Sequence, residues 1–262
     1  MTGNNQYQSK QKLIGLLLCL FSTTAFAASG NIYLGGSMGA SLAKVGSGTR
    51  QITYDGGKLT DAYPIDGKHA TAPLFSLNAG YEFMGDYATT MPAIALGVGV
   101  YSTLGSNLDF NGNVTETAAG DPGTTLYNYK YNVSSTRVMA EAQFSWLLGR
   151  FAPFINGGAG TAWNHASGYS ETPTTKTGFV ALAPFQSHTN TNFAWQAGFG
   201  VSYVFNFNKS KARYWLERIS IGYRYAHLGE ASFGTRGTAY PYSLNTGTLT
   251  SNEIYLSYTH LF

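Results

Sequence analysis

Two short segments of this 262-residue chain hold the residue types that nucleophilic hydrolysis requires. His165-Ala166-Ser167, with Glu171 nearby, offers a base, a hydroxyl and a carboxylate. Tyr225-Ala226-His227-Leu228-Gly229-Glu230-Ala231 has a base and a carboxylate, but Gly229 stands where a nucleophile would, and Ser232 has the wrong spacing and parity. Catalysis of this kind needs base, nucleophile and orienting group within hydrogen-bond reach, and a His-x-Ser triplet arises easily by chance in a serine-rich chain. The expectation is no enzyme and no catalytic residue. His69, His188 and His260 lack metal-site spacing, so neither a metal nor a cofactor is expected. A third set is electrostatic: Glu82, Glu141 and Glu253 against Arg137, Arg218 and Arg224. Three acids balance three bases, and buried ions must pair because a lone desolvated charge is costly.

The elements that must position these groups are strands. Period-two runs bounded by turn residues predict eight, at about 31 to 43, 74 to 84, 92 to 102, 133 to 148, 151 to 164, 191 to 206, 214 to 227 and 251 to 262. The sixth alternates most cleanly, with Phe193, Trp195, Phe199, Val201 and Tyr203 on one face and Asn192, Gln196, Gly198 and Ser202 on the other. The fifth is glycine-rich and its facing is ambiguous. The polar faces are mostly Gly, Ser, Asn and Gln, which suits a crowded interior, and only 11% of the chain is charged against about 25% in a soluble domain. Water is therefore not expected to be the main solvent of the apolar face. No segment beyond the N-terminal run is apolar over 18 residues, which argues against spanning helices. A closed barrel is the other structure that satisfies every backbone group in lipid. The predicted fold is all-β: an eight-stranded antiparallel up-and-down transmembrane β-barrel with four long external loops and three short periplasmic turns. Aromatic girdles are expected at both rims, from Tyr81, Phe83, Trp146, Tyr203, Phe205, Tyr214, Trp215 and Phe262 at one and from Trp163, Phe193 and Trp195 at the other.

Both ends of the chain agree. Lys10 and Lys12 precede the apolar run Leu13 to Phe21 and the small-residue site Ala25-Phe26-Ala27, the pattern of a signal peptide spanning residues 1–27. The run is shorter than the roughly 20 residues of a spanning helix. Cys19 follows Leu18, where lipoprotein processing wants a small residue. Cleavage would leave residues 28–262 as the barrel domain, without cysteine and with 14 basic against 13 acidic residues. That balance gives no reason to expect nucleic acid as a partner. In the last strand Ile254, Leu256, Tyr258 and Phe262 share a face, and the terminal Phe resembles the C-terminal sorting signal that the barrel assembly machinery reads in Gram-negative outer-membrane proteins. The expected location is the cell outer membrane of a Gram-negative bacterium, with outer-membrane lipid and lipopolysaccharide as surroundings. A closing strand at the C-terminus leaves no appended peptidoglycan-binding domain expected.

By parity the six charges face the lumen. Arg224 and Glu253 fall at similar heights on neighbouring strands, Arg137 and Glu141 lie two pleats apart on one strand, and Glu82 and Arg218 both lie near the periplasmic rim. An eight-stranded barrel is just wide enough for side chains to fill, so the network is expected to plug the lumen.

The stretch Ile221-Gly-Tyr-Arg-Tyr-Ala-His-Leu-Gly-Glu-Ala-Ser232 and the terminal Tyr-Thr-His-Leu-Phe resemble the opacity-type surface-antigen barrels related to OmpA and OmpX. The resemblance implies an eight-stranded outer-membrane protein acting as an adhesin, surface antigen or envelope-stabilising protein, with a host or extracellular ligand as a further partner. Some barrels of this size are lipid A deacylases carrying His-x-Ser-Asn and a distal Glu; no segment here matches that pattern in full, which leaves a lipid A-modifying enzyme as a remote alternative. The external loops are expected at about 45 to 73, 104 to 131, 165 to 190 and 228 to 250. Phe179, Val180, Leu182 and Phe185 in the third, and Phe233, Tyr240 and Tyr242 in the fourth, are candidate contacts because apolar groups in water-facing segments often mark interaction sites. The same apolar mouth supports an alternative, a narrow OmpW-like barrel that passes small hydrophobic solutes.

Overall fold

The computed structural model describes residues 30–46, 48–54, 57–65, 69–83, 92–103, 108–118, 124–174, 185–205, 217–235 and 242–262. The proposed signal peptide lies outside them. The described residues form thirteen strands: β1 (Gly30–Lys44), β2 (Thr49–Tyr54), β3 (Leu59–Pro64), β4 (His69–Phe83), β5 (Ala93–Ser102), β6 (Leu108–Ala118), β7 (Thr124–Ser145), β8 (Phe151–Pro173), β9 (Phe185–Gln186), β10 (His188–Phe205), β11 (Glu217–Ser232), β12 (Gly234–Thr235) and β13 (Asn245–Leu261).

Eight of these make a ring. Each of β1, β4, β5, β7, β8, β10, β11 and β13 pairs antiparallel with two neighbours, and the path of pairings returns to its start through β7 with β8 and β13 with β1. At one end the chain turns tightly: Leu148 and Phe151 exchange backbone hydrogen bonds around Gly149 and Arg150, with Gly149 at positive φ. Phe262 N donates to Ile32 O at 2.8 Å at this same turn end. Lipid requires every wall hydrogen bond to be made within the protein, and the ring supplies them.

The outward face is apolar toward the turn end. Ile32, Leu34, Leu77, Leu96, Phe199 and Ile221 are all exposed there, while Ser37, Ser76, Ser202 and Ser220 face inward. Strand β8 takes the same parity in this half, with Phe151 and Ile155 outward and Ala152 and Phe154 inward, which resolves the ambiguous facing of the fifth predicted strand. Tyr214 and Trp215 of the predicted girdle lie outside the described residues.

Beyond the apolar band the architecture departs from expectation. Much of what was predicted as loops is strand: β7 and β8 reach 22 and 23 residues, about twice the roughly 9–11 needed to cross a bilayer. Near Val133, β7 exchanges one neighbour for another. Residues 136–145 pair with β5, whereas residues 124–133 pair with β6. Strands β3 and β2 continue that sheet outward. The physical reason is a reversal of wall polarity. In β7 the outward residues pass from Phe144 and Val138 to Asn132, Lys130 and Asn128, while the inward ones pass from Arg137 to Val133, Tyr131 and Tyr129. Segments rich in Thr, Asn and Ser thus remain strands by burying aromatics inside instead of outside.

Candidate functional site

The six inward charges were candidates because of their parity, and the structure has all six inside the ring. Glu253 on β13 is fully buried and accepts from two arginines: Arg137 binds it through Nη1 at 2.8 Å and Nη2 at 2.7 Å, and Arg224 through Nε at 2.7 Å. Arg224 and Glu253 are register partners on β11 and β13. Arg137 reaches across the lumen to Glu253 instead of pairing with Glu141 on its own strand. Glu141 accepts from the Tyr101 hydroxyl and from Gln196 Nε2, and Gln196 Oε1 accepts from Arg137 Nε at 3.1 Å. Toward the turn end Arg218 and Glu82 pair at 2.6 Å.

Aromatic rings complete this polar layer. The Arg224 guanidinium lies 4.2 Å from the Tyr101 centroid and 4.8 Å from that of Tyr255, and Arg137 lies 4.5 Å from Tyr101. Such stacking suits a desolvated guanidinium. Space for it comes from inward glycines: a Cβ at Gly222 would sit 2.5 Å from the Tyr255 ring. Arg224 Nη2 and Asn156 Oδ1 have no hydrogen-bond partner among the described residues. Both line a cavity of about 50 Å³, room for a few water molecules.

Above it sits a second layer of opposite character. Phe110, Tyr131 and Phe233 are buried together with Tyr63, Tyr129, Tyr169 and Phe185. Tyr169 meets Phe185 edge-on at 4.8 Å and Phe233 at 5.5 Å, and Tyr131 meets Phe233 at 5.5 Å. This corrects the expectation that Phe185 and Phe233 are exposed loop contacts: they are 7% and 1% exposed. The two-residue clasp of β9 with β12 brings them over the mouth, where aromatic rings supply a dry seat. Tyr242 is half-buried. Phe179, Val180, Leu182 and Tyr240 lie outside the described residues.

Bulges create this aromatic layer. Gly168 in β8 and Gly229 in β11 adopt positive φ beside register shifts. One extra residue in a strand reverses the face of everything after it, so Tyr169, Ala231 and Phe233 turn inward. Asparagines fix the second bulge: Asn164 Nδ2 donates to Leu228 O at 2.8 Å and Glu230 O at 3.1 Å, and Asn192 Nδ2 donates to Glu230 O at 2.7 Å. The Leu-Gly-Glu portion of the motif in strand β11 is therefore a clamped bulge.

The hydrolase-like segments are dispersed by the same geometry. His165 faces outward, its Nδ1 2.9 Å from Thr189 Oγ1, whereas Glu171 lies past the bulge on the inner side with Oε1 2.5 Å from Tyr169 Oη. His227 stacks on Trp195 on the outer wall, 6.0 Å between centroids. The residues put forward as a sorting signal, Ile254, Leu256, Tyr258 and Phe262, all face outward and are 63%, 52%, 47% and 67% exposed. Gln196 was read on the inward polar face, whereas Tyr101 and Tyr255 were missed as members of the lumen layer, although inward parity on their strands was a signal for both.

No protein-family model matches the chain, and no curated protein matches it. Among solved structures it is similar to Neisserial surface protein A, at 13% identity and a TM-score of 0.38, covering 89% of this chain and 99% of that one. It is also similar to Ail, the attachment invasion locus protein of Yersinia pestis, at 14% identity and a TM-score of 0.36, covering 88% and 99%. A third is the outer membrane protein OprG of Pseudomonas aeruginosa, at 15% identity and a TM-score of 0.39, covering 90% and 97%. The ring of eight antiparallel strands, apolar outside and polar within toward its turn end, gives this chain the fold of an eight-stranded transmembrane β-barrel.

Proposed function

We propose that this protein is a non-conducting outer-membrane barrel that acts through its extracellular β-extension, as a surface interaction, adhesion or envelope-stabilising protein. The observation that carries the reading is the pair of stacked seals: a charge-paired polar layer across the lumen and a buried aromatic core above it. A transport path would have to break both. The extension has its own core and presents Asp109, Asn111, Asn128 and Lys130 outward, all exposed, which suits a rigid platform facing water. No residue is proposed as catalytic and no cofactor is proposed. The partners proposed are lipopolysaccharide and outer-membrane lipid around the wall, the assembly machinery at the C-terminal strand, and an extracellular ligand at the extension.

The test joins two measurements on barrels whose heat-dependent gel shift verifies folding. Planar-bilayer recordings of residues 28–262 should stay silent, and cells displaying the protein should bind a host matrix or cell surface that cells lacking it do not. Reproducible small conductance steps would favour the OmpW-like reading instead. Silence without any binding difference would leave envelope stabilisation, read as detergent sensitivity of the deletion strain.

A further inference from the structure

Gly36 on β1 faces outward between the exposed Leu34 and Met38. Its φ lies outside the left-handed region, and a Cβ there would meet Leu77 Cδ2 at 3.5 Å, an ordinary contact. Inward glycines differ: a Cβ at Gly39 would run into Ile254 O, and one at Gly80 into Leu96 O. A side chain at position 36 would fit, so what this glycine supplies is the space above it. That space is a groove of about 540 Å³ on the outer wall, within the roughly 300–1,000 Å³ of ligand clefts. Register sets its walls. Val100, Leu77, Gly36, Tyr258 and Ile219 lie side by side on β5, β4, β1, β13 and β11. The four larger side chains are exposed, and Gly36 is the notch between Leu77 and Tyr258.

One residue pair nearer the turn end, the outward face of β11 and β13 turns polar. Glu217 and His260 are register partners there, below Ile219 and Tyr258. Glu217 Oε1 lies 3.8 Å from His260 Nδ1, and both side chains are about one-third exposed. That separation is too long for a hydrogen bond and short enough for both groups to meet one ligand. A carboxylate accepts from an ammonium, and an imidazole N–H donates to a phosphate oxygen. A purely anionic ligand would meet Glu217 as a like charge. The two-residue step between the rows is about 7 Å, so a headgroup held by the pair brings its acyl chain to the notch.

We propose that the groove and the Glu217–His260 pair form one binding site for a phospholipid with an amine headgroup, in the leaflet at the turn end. Its ammonium meets Glu217, its phosphate meets His260, and one acyl chain lies against Gly36. The pair commits the site to this occupant, because one acceptor beside one donor matches a zwitterion, and the apolar wall next to it matches a chain in hydrocarbon. The site rests on the membrane setting proposed for the wall and not on any role of the extension.

Native mass spectrometry of refolded residues 28–262, taken from micelles holding equal phosphatidylethanolamine and phosphatidylglycerol of the same acyl chains, reads the lipid retained. A heat-dependent gel shift verifies each barrel, so a folded barrel without lipid overturns this site alone and leaves the proposed function standing. The wild type should retain phosphatidylethanolamine about fivefold over phosphatidylglycerol, the upper end of what an exposed ion pair provides. Gly36→Leu fills the notch from outside and should lose bound lipid of either kind. Glu217→Gln should keep a lipid and hold the two headgroups equally. The site is overturned by a wild type that retains no lipid or both equally, by a Gly36→Leu barrel that still holds its lipid, or by an unchanged preference in Glu217→Gln. A lipid-free dimer would overturn it too, by giving the groove to a second copy.

Discussion

The two halves of this barrel solve burial in opposite ways. In the turn-end half the solvent outside is hydrocarbon, so the apolar side chains go out and the charges go in, where Glu253 holds Arg137 and Arg224. In the outer half the solvent is water, so the polar side chains go out and seven aromatic rings close the interior. Strands such as β7 and β8 run through both halves, and the difference lies in which face of each strand is apolar. The lower interior is specified by a few charge-assisted bonds, each with one correct geometry. The upper interior is specified by ring packing and by glycine bulges that aim the rings.

The comparison can be broken most severely at Glu253. Glu253→Ala would leave two guanidiniums buried without their carboxylate, and the refolded barrel should lose about 3–5 kcal/mol, seen as a lower urea midpoint; an unchanged midpoint would mean the lower half does not rely on its charges. Arg224→Ala should cost less, a few kcal/mol, because Arg137 still binds Glu253 through two nitrogens.

Next in size is Phe233→Ala. Emptying a 1%-exposed site in the aromatic core should cost about 3 kcal/mol, but as faster amide exchange confined to β3, β6 and the outer ends of β7 and β8. Equal loss of protection in β1 and β4 near the turn end would show that the halves unfold as one.

Gly229→Ala should cost about 1–2 kcal/mol, because its φ of +78° is unfavourable for alanine and a methyl group would run into Asn192. Rescue by Asn192→Gly, read as a recovered urea midpoint, would tie that cost to the clamp. The smallest effect expected is Ser202→Ala. Its buried 2.8 Å bond to Ser220 should be worth about 1 kcal/mol, and a cost as large as that of Glu253→Ala would contradict a charge-dominated lower half.

The lower half was legible in the sequence because lipid leaves few options. Period-two runs found all eight wall strands, and parity alone separated Glu253 from Ile254. Reach across the lumen was not legible: Arg137 finds Glu253 at a sequence separation of 116, and local spacing says nothing about such a distance. The outer half was misread for two reasons. Its alternation is inverted, so Asn128 and Lys130 looked like loop residues although they line the outside of a strand. Gly168 and Gly229 then break the count, which turned Phe233 from an inward anchor into an apparent surface aromatic. An isolated glycine within a strand pattern was the available clue.

The reversal of wall polarity also fixes how deep the molecule floats. A rise toward the cell exterior would lift Phe193, Trp195 and Ile254 out of hydrocarbon, and a sinking movement would pull Asn252, Lys44 and Lys130 into it. Lysine on the lipid face costs about 2–4 kcal/mol at the midplane and far less near the surface, so resistance grows with every ångström of descent. The barrel thus has one waterline, and everything built on its outer end is held at a set height above the membrane.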